Sequence, residues 1–99
     1  MKKTVYNPDT LAPAVGHFVR AVRFDDWLFI SGTSALTNVQ GPMGDRSLVK
    51  GIEAQANLTL DNIEKVCQAA GGTLADIYEF RFILKEREYF SIVCYTYCL

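Results

Sequence analysis

Residues 52–84 read IEAQANLTLDNIEKVCQAAGGTLADIYEFRFIL, and a change of period inside this stretch decides the fold. From about Leu48 to Ala70, apolar residues recur at intervals of three and four: Ile52, Ala56, Leu60, Ile63, Cys67 and Ala70. Glu53, Asn57, Asp61, Glu64 and Lys65 fall elsewhere. This is the pattern of an amphipathic helix that rests one stripe on a core. Gly71-Gly72 supplies a left-handed stop, and Thr73–Asp76 reads as a short turn. From Ile77 to Leu84 the period becomes two. Tyr78, Phe80, Phe82 and Leu84 share one face, and Glu79 and Arg81 the other, as in a strand half covered by a core.

Working upstream, Trp27-Leu28-Phe29-Ile30-Ser31 is almost continuously apolar, which suits a strand covered on both faces. His17–Arg23 reads as another strand, and Asp25-Asp26 between them makes a hairpin. Strand, long helix and strand form a crossover unit, right-handed if the two strands are parallel. Gly32–Asp45 is a loop. Its Gly41-Pro42-Met43-Gly44 does not lead a strand directly into a helix N-terminus, so it is a turn rather than a phosphate cradle. Residues 1–16, with Asn7-Pro8-Asp9 and Ala12-Pro13, read as an irregular lead-in.

Downstream, Lys85-Glu86-Arg87-Glu88 links to a second helix beginning near Tyr89, with Phe90, Val93, Cys94 and Tyr97 on one face. No capping glycine, proline or basic last turn precedes Leu99. The expectation is a pattern cut inside an element, with some partner structure left unmade. The fold class is α/β (α+β): a mixed sheet with helices packed on one face.

With 99 residues, 49% hydrophobic and 12% aromatic, the chain is expected to form one domain able to bury a core without disulfides. A net charge of -1 with scattered basic residues weighs against attraction to nucleic acid or anionic membranes. The start has two lysines but no apolar core of a secretory signal, and no run reaches a membrane span, so the cytoplasm is the expected compartment. Cys67, Cys94 and Cys98 are an odd set for a disulfide framework and too few for a structural zinc site; they read as buried thiols. His17, alone at the start of a strand, reads more simply as structural than as a general base. No Walker loop or nucleophile elbow is present.

Four collinear pieces nevertheless resemble one family. They are Ala12-Pro13-Ala14-Val15-Gly16 with Phe18, then Phe29-Ile30-Ser31-Gly32. Next come Ile52-Glu53-Ala54-Gln55-Ala56 leading to Leu60-Asp61-Asn62-Ile63, and finally Ala69-Ala70-Gly71-Gly72 with Leu74-Ala75-Asp76-Ile77. In this order and spacing, residues 10–97 are similar to the Rid family, also called YjgF or endoribonuclease L-PSP.

The resemblance implies a chorismate-mutase-like fold and a homotrimer. It also implies hydrolysis of small 2-imino acids, such as 2-iminobutanoate and 2-iminopropanoate, to 2-keto acids and ammonia, with no cofactor and no metal. It places Phe18, Ser31, Gly32 and Cys94 against the substrate. Phe18 stands where the family commonly has an aromatic hydroxyl, and so keeps a ring wall without a hydrogen-bond donor. Cys94 stands where an asparagine is common. The family's carboxylate-clamping arginine and water-positioning glutamate belong to a C-terminal segment that residues 1–99 are expected to lack. The catalytic residues are therefore unassigned. Arg20 and Arg81 fit an ordinary polar strand face better than a substitute clamp. Without that segment, a strand expected between Trp27–Ser31 and Ile77–Leu84 is missing, so these two must pair directly, borrow a strand or leave open edges. A binding or trimer-assembly module is the alternative to the hydrolase. Ribonuclease activity rests on the older family name alone.

Overall fold

The computed structural model describes residues 3–11, 19–35 and 49–97. Three short strands lead: β1 (Lys3–Tyr6), β2 (Ala21–Phe24) and β3 (Trp27–Ile30). Helix α1 (Ile52–Ala69), a 3-10 turn at Leu74–Asp76 and helix α2 (Tyr89–Thr96) follow. The strands form an antiparallel meander in the order β1-β2-β3. Tyr6 lies opposite Ala21, and Ala21 opposite Ile30, so the three share one face. Next along that face, Thr4, Arg23 and Leu28 are aligned.

The core forms where this inner face meets α1. Leu11, Ala21 and Val66 are buried together, with Tyr6, Leu28 and Ile30 packed around them. Val66 and Ala21 are both fully inaccessible to solvent. The buried positions of α1 are Ala56, Asn62, Val66 and Cys67. The expected stripe is thus correct at Ala56 and Cys67, but the burial is broader and takes in Asn62 and Val66. A helix lying across a sheet beside a second helix needs two adjoining buried stripes, not one.

Helix α1 begins at Ile52, later than expected, because Gly51 at φ 90° cannot lie inside a right-handed helix. Its end is as expected. Gly71 takes φ 84°, its N–H donates to Gln68 O at 3.0 Å, and Gly72 N–H donates to Cys67 O at 2.8 Å. These two bonds complete the Schellman arrangement, which satisfies carbonyls left open by the last turn.

Several expectations are corrected. The lead-in is not wholly irregular, since Lys3–Tyr6 is a strand paired with β2. The second strand is Ala21–Phe24 rather than His17–Arg23; residues 17 and 18 lie outside the described residues. The hairpin stands, with Phe24 opposite Trp27 and the turn at Asp25-Asp26. Asp25 has φ 51°, and Arg23 Nε donates to its carbonyl at 2.8 Å. β3 is covered on one face only, because Trp27 and Phe29 are each more than half exposed. In residues 77–84 the expected alternation holds from Glu79 to Leu84, with Phe80, Phe82 and Leu84 half-buried, but Tyr78, expected on that face, is 79% exposed and meets Trp27 edge-on at 5.7 Å; the segment joins no ladder among the described residues. The described ladder is accordingly antiparallel rather than mixed.

A variant at the α1 stop isolates backbone conformation from packing. A Cβ on Gly71 would meet nothing within 4 Å, so Gly71→Ala should lose only the left-handed preference, about 1 kcal/mol. Urea unfolding checks this, and an unchanged midpoint would remove the Schellman stop from the account.

Candidate functional site

The loop leaving β3 is fixed by side chains rather than by regular structure. Ser31 Oγ donates to Val19 O at 2.6 Å, and Ser31 N–H donates to Arg20 O at 3.0 Å. Thr33 Oγ1 donates to Ser31 O at 3.0 Å. Two residues of α1 hold the far end of the described loops: Asn62 Nδ2 reaches Ser34 O at 3.1 Å and Gln55 Nε2 reaches Val49 O at 2.8 Å. Asn62 is 3% exposed, so its amide replaces water for a backbone carbonyl that regular structure leaves open.

This loop borders a cleft of about 750 Å³. Phe29–Ala35 form one wall, Ile52, Gln55, Ala56, Thr59 and Ile63 of α1 form the floor, and Ile77 with Glu79–Leu84 forms the opposite wall; Val93 of α2 and Tyr97 just past its end close one end. The lining mixes apolar side chains with hydroxyls and an amide, suiting a small ligand with a few polar groups. Among the described residues β3 pairs with β2 alone, and residues 78–84 make no backbone hydrogen bond to any described residue.

Tyr97 anchors the end of the cleft. Its ring meets those of Phe80 and Phe82 edge-on, each at 5.0 Å, and Phe80 and Phe82 stack on each other at 5.9 Å. Burial, and secondarily the negative charge of Asp61, pushes the Tyr97 phenol up to about 12. Burial likewise raises the Cys67 thiol, reinforced by Asp76 and Glu64. Cys67 is therefore an inert packing residue rather than a nucleophile.

Of the anticipated site residues, Ser31 and Gly32 lie side by side on the cleft wall. A Cβ on Gly32 would meet nothing within 4 Å, so this glycine leaves open space beside Ser31. Phe18 lies outside the described residues. Cys94 is exposed and not on the cleft wall, which corrects its reading as a buried thiol. Helix α2 turns its Val93 side inward, and Phe90 is 59% exposed. Its covered residues are Tyr89, Ile92, Val93, Thr96 and Tyr97, because the helix must meet α1 and the Phe80–Phe82 pair together. Sequence reasoning missed Gln55 and Asn62 as loop anchors. Two amides on the loop-facing side of a helix followed by an irregular stretch were the available signal. Arg81 and Glu79 border the cleft and are exposed. Among the described residues no three potential metal-ligating side chains converge, and no helix is long and apolar enough to cross a membrane.

The hairpin, long helix and loop-walled cleft define a small α+β fold whose pocket lies between β3 and residues 77–84. The family described as Endoribonuclease L-PSP matches residues 9–97, and the chain belongs to that family, the Rid/YjgF proteins. A RutC family protein of Sulfurisphaera tokodaii is 32% identical over 92 residues, covering 90% of this chain and 67% of the relative. A RutC family protein of Pyrococcus horikoshii is 28% identical, over 92% of this chain and 68% of its own length. The crystal structure of RidA from an Antarctic Psychrobacter species superposes with a TM-score of 0.83 at 28% identity, covering 94% of this chain and 72% of that one.

Tyr97 gives a pH test. Its folded-state pKa lies above the ordinary value of 10.0, so the folded protein holds the phenolic proton more tightly than the unfolded chain. The corresponding stability is complete below the ordinary value and is lost as pH rises from there through the folded value. Urea unfolding across that alkaline range should show the decline in the parent protein, and Tyr97→Phe should flatten it. Equal slopes in both would contradict a buried, neutral Tyr97.

Proposed function

We propose that this chain is a scaffold for hydrolysis of small reactive 2-imino acids, with Ser31 and Gly32 forming the wall against which the substrate lies. The observation that carries this reading is their adjacency on the cleft, beside open space, at the positions that match the family's Ser-Gly pair. The reaction adds water to the C=N carbon and releases ammonia, leaving a 2-keto acid. The protein's part is to orient substrate and water and to complement charge. The Ser31 hydroxyl proton is engaged by Val19 O, so Ser31 offers the substrate oxygen lone pairs and a fixed backbone rather than a free donor. The proposal treats residues 1–99 as a single domain working in the cytoplasm.

The open outer face of the sheet supports association. Val5, Val22 and Phe29 line up across the three strands, with Phe24 and Trp27 beside them. Phe24 and Phe29 meet edge-on at 6.3 Å. Val5, Trp27 and Phe29 are exposed on this face, with Val22 and Phe24 half-buried among them; such an apolar row supports a contact surface, and the homotrimer is its proposed partner arrangement. The same face supports the second reading, an assembly or binding module that keeps the cleft without turnover. A ribonuclease reading gains little from a chain of net charge -1.

Supplied with an enzymatically generated 2-imino acid, the chain should release keto acid faster than a buffer control. Loss of that release in Ser31→Ala, by about tenfold or more, would support the hydrolase. No acceleration, with saturable binding of a 2-keto acid, would support the binding module.

A further inference from the structure

Helix α1 buries one amide at a position where an apolar residue would cost less. Asn62 is 3% exposed, and the other buried positions of the helix are Ala56, Val66 and Cys67. Asparagine is a poorer helix former than leucine, and a buried amide costs free energy unless it is hydrogen-bonded. Its Nδ2 donates to Ser34 O at 3.1 Å, yet Asn62 does not itself line the cleft. We infer that Asn62 is a positioning residue: from outside the cleft it sets the conformation of Gly32 and Thr33, and through them the affinity for a small 2-imino or 2-keto acid. The inference rests on the proposed reading of Ser31 and Gly32 as the substrate wall.

That wall is pinned at two points. At the first, Ser31 N–H donates to Arg20 O at 3.0 Å and Ser31 Oγ to Val19 O at 2.6 Å. At the second, Asn62 holds the Ser34 carbonyl. Gly32 and Thr33 lie between, and glycine has the widest backbone freedom of any residue, so fixing both ends removes most of the conformations open to it. Thr33 Oγ1 closes the arc on Ser31 O. The support behind Ser34 is stiff. Val66, one turn further along the same face of α1, is inaccessible to solvent and packs with Leu11 and Ala21. The amide is therefore carried by the part of the helix that the meander holds. Without it, the Ser34 carbonyl loses its side-chain donor and the arc samples conformations that do not fit a ligand. Apparent affinity then falls by the fraction that still fits.

The test is the full chain with Asn62→Leu, which keeps side-chain volume and removes the donor, beside Val66→Ala, which weakens packing and keeps the amide. The NMR resonances of Gly32 and Thr33 and a titration with pyruvate are read on each, with circular dichroism to confirm folding. Asn62→Leu should move both resonances and weaken pyruvate binding about tenfold. Val66→Ala should lower the melting temperature but bind within about twofold of the parent. Where turnover of a 2-imino acid is measured, Asn62→Leu should raise KM with little change in kcat, the split expected when ground state and transition state lose the same contact. Asn62→Ala gives the same comparison if the leucine variant does not fold. Unchanged resonances and affinity in a folded Asn62 variant, or equal losses in Val66→Ala, would overturn the inference. A parent that neither binds pyruvate nor turns over overturns instead the reading of the wall as a substrate site, and the Gly32 and Thr33 resonances alone then decide whether Asn62 positions it.

Discussion

A backbone that has become extended must place its N–H and C=O groups somewhere, and this chain meets that requirement unevenly. β1, β2 and β3 satisfy one another in a ladder, and Asn62 and Gln55 satisfy the loops around them. Residues 78–84 make no backbone hydrogen bond to any described residue; ring contacts of Tyr78 with Trp27 and of Phe80 and Phe82 with Tyr97 hold them instead. The cleft lies between these two regions.

The hydrophobic seam sets where the division falls. Val66 presses on Ala21 and Leu11 and ties α1 to the meander, while Tyr97 with Phe80 and Phe82 ties the extended segment to α2. The helices thus hold the meander on one side and residues 77–84 on the other, and the loop carrying Ser31 and Gly32 lines the cleft between them. The Ser31 hydroxyl is committed to Val19, which makes this residue a structural brace as well as a cleft wall. Function on this scaffold rests on placement more than on an intrinsically reactive side chain.

Much of this was legible in residues 52–84. A three-and-four period closed by Gly71-Gly72 marks a helix however it packs, and alternation from Tyr78 to Leu84 marks an extended segment whether or not it finds a partner. Pairing was not legible, because alternation reports which face is apolar and says nothing of which neighbour exists. Trp27–Ser31 misled for the same reason: a continuous apolar run implies cover on both faces, whereas Trp27 and Phe29 are each more than half exposed. Thr4-Val5-Tyr6, a short β-branched and aromatic run, was hidden by the neighbouring Asn7-Pro8. Within the site, Ser31 and Gly32 could be placed through the family resemblance, whereas the exposed position of Cys94 depends on the roll of α2. A helix of eight residues, apolar on several sides, does not determine that roll locally.

Amide hydrogen exchange of the parent and of Val66→Ala tests the central claim most directly. The account predicts that α1 and the β1-β2-β3 ladder are protected in the parent and lose protection together in the variant, because Val66 joins them. A loss confined to α1, with the ladder as protected as before, would contradict it.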